Sequence, residues 1–147
     1  MNVLIFILTF LVMEFVAWFT HKYVMHGIFW YLHEDHHDKS NIHSIFERND
    51  AFFLIFATPS ITCIILGSFY AIPFTLAIGL GIAAYGFCYF MVHDIFIHQR
   101  LKWFRKADNF YFRAIRKAHK IHHKHLGKED GECFGMLIVP LKYFKTE

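Results

Sequence analysis

Three long apolar stretches limit what this chain can fold into more than any other feature. They run from about Asn2 to Thr20, Ala51 to Tyr70 and Ile72 to Val92. A helix needs about 20 apolar residues to cross a hydrocarbon core, and each stretch is close to that length. Backbone polar groups in lipid must be satisfied within the segment, so stretches of this kind fold as helices. The expectation is an all-α integral membrane bundle with three transmembrane helices. Hydrophobic residues make up 56% of the 147 and charged residues 18%, a balance that excludes an ordinary soluble globule.

The connections follow from the punctuation. A tight turn is expected around Gly67 to Pro73, with Pro73 placed to open the third helix and Pro59 to kink the second. Gly79 and Ala83 form a small-xxx-small pair that marks close helix packing. The stretch from Phe134 to Leu141 is too short to cross and is expected to dock against the body. The first run lacks the basic start of a secretory signal and is read as a retained anchor. The length is one domain's worth, a single membrane-embedded unit over 1–147.

Charge placement orients the bundle. All fifteen Lys and Arg residues lie outside Asn49 to Gln99, and none precedes Lys22. The flanks at 22–48 and 100–145 are therefore expected on the cytoplasmic side, and the 67–73 turn on the other. All twelve histidines are expected on that same side, each motif pair beginning where a span ends. Beyond the third span, Asp108 looks like an N-cap and Gly127 like a helix stop. Tyr111, Ile115, Ala118 and His122 keep a helical period between them, which predicts an amphipathic helix lying at the surface.

Ten of the twelve histidines state one motif pair twice. The first statement is His21-x4-His26 followed by His33-x2-His36-His37; the second is His93-x4-His98 followed by His119-x2-His122-His123. Neutral imidazole is a nitrogen donor for iron, zinc and copper, so ten in a duplicated pattern point to two metal ions. On a helix each triad lies within about 100°, which presents several imidazoles to one point. The x4 pairs sit about 140° apart on an ideal α-helix and converge only where the helix loosens; Gly27 favours this for the first pair.

The surrounding chemistry narrows the metal. The three cysteines stand outside the clusters, which excludes zinc–thiolate and iron–sulfur sites. An all-nitrogen double site fits non-haem iron handling O2 better than zinc hydrolysis. Asp94, beside His93, is a candidate acceptor for a ligand imidazole. Glu14 lies inside the first span, nearly two turns before His21, and is either a similar partner or a hydrogen-bonded packing residue. His43 and His125 fall outside both motif pairs. The basic run from Arg100 to Lys128 suits anionic lipid or an acidic electron donor, and nucleic acid is a poor candidate in this setting. A non-catalytic metal-binding or transport protein stays open as an alternative.

The strings MEFVAWFTHKYVMHG, HEDHH, FERNDAFF, AYGFCYFMVHDIFIHQR, AHKIHH and GKEDGECFG carry a resemblance. The chain resembles bacterial β-carotene hydroxylases, within the membrane superfamily of fatty-acid hydroxylases and sterol oxidases. The resemblance implies a di-iron monooxygenase that hydroxylates C3 of a β-ionone ring, with O2 as co-substrate. It also implies a ferredoxin-type electron donor, a carotenoid entering from membrane lipid, and a place in the bacterial inner membrane. The iron ligands it implies are His21, His26, His33, His36, His37, His93, His98, His119, His122 and His123. Another di-iron lipid hydroxylase or desaturase would share this histidine pattern.

Overall fold

The computed structural model describes residues 1–38, 46–104 and 106–145. Every α- or π-helical element among them, and every short 3₁₀ turn, is helical, and the order follows the hydropathy pattern. The α1 helix spans Asn2–Phe19 and continues without a break as a π-helix over Thr20–Ile28. The short α2 helix covers Trp30–His37. The α3 helix covers Ala51–Phe69, and α4 covers Thr75–Phe90 before passing into a second π-helix over Met91–Ile97. The last, α5, covers Phe110–His122. Three continuous helices are long and apolar enough to cross a membrane: Asn2–Ile28, Arg48–Phe69 and Thr75–Ile97.

The spans expose apolar side chains that water would punish and lipid tolerates. On α1, Leu4, Leu8, Leu11, Val12 and Phe15 all face outwards. Near its loosened end, Trp18, Phe19 and Tyr23 cluster, and the Lys22 ammonium lies 5.4 Å from the Trp18 ring and 5.1 Å from the Tyr23 ring. Amphipathic rings with a cation beside them suit the headgroup level of a bilayer.

The α4 helix is central, packing against α1 on one side and α3 on the other. Glycines allow both approaches. A Cβ at Gly79 would stand 2.8 Å from the Ile64 amide nitrogen and the Ser60 carbonyl oxygen on α3. A Cβ at Gly81 would stand 2.9 Å from the Phe6 carbonyl oxygen on α1. The Ser60 hydroxyl donates to the Gly79 carbonyl at 2.8 Å, sealing the α3–α4 seam. Ala83, the other half of the small-residue pair, instead lines an apolar cavity on that side of α4. The α3–α4 turn places Ala71 (φ 51°) and Phe74 (φ 67°) in the left-handed region. Phe74 rather than Pro73 caps α4, and the α3 helix runs on through Pro59.

Three expectations about α5 shift. Its cap is Asn109, whose side chain accepts from the Phe112 amide at 2.8 Å, while Asp108 pairs with Arg113 at 3.3 Å. The helix ends at His122, well before Gly127. Its apolar face does not lie open to lipid: Ala114, Ile115 and Ala118 pack under Val139 and Tyr143. The 134–141 stretch does dock, with Met136 and Val139 buried.

Candidate metal centre

The π-helical segments solve the x4 problem. In a π-helix the amide of residue i+5 bonds to the carbonyl of residue i, so side chains five apart come into line. The His98 amide donates to the His93 carbonyl at 2.9 Å, and the Phe29 amide to the Val24 carbonyl at 2.9 Å. His21 and His26 rings consequently stand 5.3 Å apart, and His93 and His98 rings 4.5 Å apart. Gly27 carries the one non-helical backbone conformation in the first segment, φ −116° and ψ −116°.

The motif histidines form two clusters. In the first, centre A, potential ligand atoms of His21, His26, His33, His37 and His122 lie within 4.8 Å of one another. In the second, centre B, those of His36, His93, His98 and His119 do the same. His123 belongs to neither cluster and lies between them, its ring 4.5 Å from that of His119, 4.8 Å from His36 and 4.9 Å from His98 of centre B, and 4.6 Å from His37 of centre A. Each triad was expected to aim at one point, and each is divided instead. His33 and His37, four residues apart, stand at A while His36 stands at B; His119 stands at B while His122 stands at A, with His123 between the two. A helical i, i+4 pair shares one face, and the intervening residue is rotated off it. The two statements of the motif thus exchange one imidazole each.

The hydrogen bonds define the tautomers. His21 Nδ1 donates to the Phe134 carbonyl at 3.0 Å, His26 Nδ1 to Lys128 at 3.1 Å, His37 Nδ1 to His125 at 3.0 Å and His122 Nδ1 to Glu132 at 2.8 Å. His33 Nδ1 donates to Asn49 Oδ1 at 2.7 Å, His36 Nδ1 to Glu47 Oε2 at 2.7 Å and His93 Nδ1 to Asp94 Oδ2 at 3.2 Å. With the proton on Nδ1, each Nε2 carries a lone pair. Those lone pairs face each other: Nε2 atoms are 3.1 Å apart in His21–His33, 3.3 Å in His26–His122 and 3.0 Å in His36–His93. His98 and His119 approach to 2.8 Å.

Opposed lone pairs repel unless a cation lies between them. Protons do not supply it readily. Burial holds His36 and His119 well below the usual imidazole range, with neighbouring imidazoles adding to the effect. Burial lowers His37 to about 4 and His122 to about 3. His123 Nε2 is buried without a hydrogen-bond partner, another donor atom turned inward with nothing to bind. The residues present therefore fit metal ions, one in each cluster. The donor set of each cluster is all nitrogen.

Three groups around centre B were not singled out from the sequence. Arg100 joins Glu47 at 2.8 Å, Asp50 at 2.7 Å and Asp94 at 3.1 Å, tying the carboxylates behind His36 and His93 into one network. Burial pushes Glu47 upwards, against the pull of Arg100. Glu47 and Asn49 belong to FERNDAFF, and the carbonyls of Lys128, Glu132 and Phe134 to GKEDGECFG. Both strings carried the resemblance, which was the available signal. Asp94 sits where expected, against His93. Glu14 instead binds Tyr85 and the backbone of 136–138. His125 contributes its carbonyl to His37. His43 lies outside the described residues.

An apolar cavity of about 470 Å³ leads from the spans to this cap. It is walled by Met13 and Ala17 of α1, by Phe52, Phe56 and Ile64 of α3, and by Tyr85, Gly86 and Tyr89 of α4. Of the motif histidines, His93 alone lines it, beside Asp94.

The known proteins that this chain is similar to are named as hydroxylases. The fatty acid hydroxylase family matches residues 6–144. A β-carotene hydroxylase of Pantoea ananas is 41% identical over 95% of this chain and 78% of its own length. One from Pseudescherichia vulneris is 39% identical over 94% of this chain and 77% of its own. A chloroplastic β-carotene 3-hydroxylase of Gentiana lutea is 37% identical over 87% of this chain and 40% of its own. No solved structure matches. The chain is a membrane protein that belongs to the fatty acid hydroxylase family and is similar, over nearly all its length, to the β-carotene hydroxylases within it.

Proposed function

We propose that this chain is a carotenoid 3-hydroxylase, a di-iron monooxygenase acting on the β-ionone rings of β-carotene to give first β-cryptoxanthin and then zeaxanthin. The single observation that carries the chemistry is the pair of buried imidazole clusters whose lone pairs converge. The substrate class rests on the similarity to β-carotene hydroxylases and on the apolar cavity that ends at His93. His21, His26, His33, His37 and His122 would hold one iron; His36, His93, His98, His119 and His123 would hold the other. Iron held there, with two electrons from a ferredoxin-type donor and two protons, would supply the redox chemistry by which one atom of O2 enters a C–H bond and the other leaves as water.

The chain's own residues do the rest. The Nδ1 acceptors fix the tautomer and rotation of seven of these rings, so their Nε2 is presented as a donor without rearrangement. Phe52, Phe56 and Tyr89 give the cavity an apolar wall that seats a cyclic end group and keeps water from the reacting carbon. Apolar surface open between the spans admits a rod-shaped substrate from lipid. We place the cap on the cytoplasmic face of a bacterial inner membrane, because the Lys and Arg residues lie on that flank.

The test is expression in a β-carotene-producing host under isotopically labelled O2. A singly hydroxylated product should appear first and a doubly hydroxylated one later, both labelled from O2 and not from water. Unchanged β-carotene beside newly hydroxylated or desaturated fatty acids, with folded and iron-loaded protein, would overturn the carotenoid assignment and leave the metal chemistry standing.

A further inference from the structure

Glu14 sits inside the membrane span, where a carboxyl group requires a reason. Its oxygens accept from the backbone amides of Met136 at 3.0 Å, Leu137 at 3.1 Å and Ile138 at 2.9 Å, and from the Tyr85 hydroxyl at 2.7 Å. Four donors converge on one acceptor group, and three of them belong to a strap more than a hundred residues away in sequence. The strap folds directly onto the carboxyl: a Cβ at Gly135 would stand 3.3 Å from Glu14 Oε1 and 2.8 Å from the Ile138 carbonyl oxygen.

The same strap faces centre A. The carbonyls of Phe134 and Glu132 accept from His21 and His122, and those of Lys128 and His125, just upstream, accept from His26 and His37. The Phe134 ring packs edge-on to His21, His26 and His122 at 5.4, 5.1 and 5.3 Å. Four of centre A's five imidazoles thus take their orientation from this one segment. Centre B is built otherwise, with His36 and His93 held by the carboxylates of Glu47 and Asp94.

We propose that Glu14 is a positioning residue for centre A alone, acting through the strap it clamps. The inference rests on the two-metal reading above. Losing an outer partner of a ligand costs about 10- to 100-fold in metal affinity. Releasing the strap removes such partners from His21 and His122 together, and leaves the carboxylates of centre B in place.

Cobalt(II) titration of the purified chain in detergent, read optically and by elemental analysis, tests this. The wild-type chain should bind two ions. Glu14→Ala should lose one tight site, and Glu14→Gln, which keeps an acceptor oxygen of similar reach, should weaken the same site by about tenfold. Placement is decided by double variants. With centre B disabled by His93→Ala, adding Glu14→Ala should abolish the remaining site; with centre A disabled by His26→Ala, adding it should change nothing. Equal weakening of both sites, or two unaltered sites in folded Glu14→Ala, overturns the proposal. If Glu14→Ala does not fold, unaltered affinity in Glu14→Gln overturns it equally. A wild-type chain that binds no cobalt would instead overturn the two-metal reading on which it rests.

Discussion

Seven of the motif histidines have Nδ1 committed to the fold and Nε2 turned towards a cluster. That division makes ligand variants separable. His122→Ala removes a donor from centre A and His36→Ala one from centre B, so each should lower bound iron from about two to about one per chain and abolish hydroxylation. His125→Ala should retain both ions, because only the His125 backbone carbonyl is used, by His37. Elemental analysis of the three variants checks this, and iron loss in His125→Ala with retention in His122→Ala would refute the ligand assignment. Acidity acts on the same atoms. His37 and His122 titrate near 4 and 3 in the fold, against about 6.5 in an unfolded chain. Between those values the unfolded chain binds more protons, so stability is full above about pH 6.5 and declines as the pH falls towards 4. Protons also compete with metal for Nε2, which has the same sign. Thermal unfolding and metal content should therefore both fall between about pH 7.5 and about pH 5, and a chain equally stable at both would contradict the burial of neutral imidazoles.

At the level of elements, the three spans and the terminal helix were legible because hydropathy and periodicity are local properties. So was the need for a loosened helix between His21 and His26, since five residues do not fit one α-helical face. The division of each triad was not legible. Which of His33, His36 and His37 meets which cluster depends on how α2 packs against the π-helical ends of α1 and α4, and spacing within α2 holds no record of that. The α5 face was misread for a similar reason: Ala114, Ile115 and Ala118 suit lipid and protein equally well, and Val139 and Tyr143 claim them. Gly79 could be read as a packing residue, although Ala83 does not share the role. A side chain at Gly79 has no room against the Ile64 and Ser60 backbone. Gly79→Val should separate α3 from α4 and cost at least about 1–3 kcal/mol, seen as a lower unfolding temperature in detergent. Undiminished stability would mean that the two helices do not approach so closely.

For the molecule as a whole, the positions of cavity and cap matter most. Of the motif histidines only His93 of centre B meets the cavity, so a substrate arriving from lipid would reach the histidine clusters from the α4 side, past Gly86 and Tyr89. At about 470 Å³ the cavity lies towards the lower part of the ~300–1,000 Å³ range of ligand pockets. It suits a cyclic end group with part of its chain, leaving the rest of a rigid polyene between the spans and in lipid. Such an arrangement treats one ring at a time, in keeping with stepwise hydroxylation. Gly86 offers a way to close the path without touching the metals. A Cβ there meets nothing within 4 Å, so added atoms enter open space rather than a neighbouring helix. Replacing glycine within a helix also favours the helical state. Gly86→Phe should therefore fold and keep its iron, yet lose hydroxylation of β-carotene by at least about tenfold, equivalent to about 1.4 kcal/mol in the barrier. Gly86→Ala should stay much nearer the wild-type rate. Product analysis beside iron determination separates the outcomes: full activity in iron-loaded Gly86→Phe would show that the ring reaches the metals by another route.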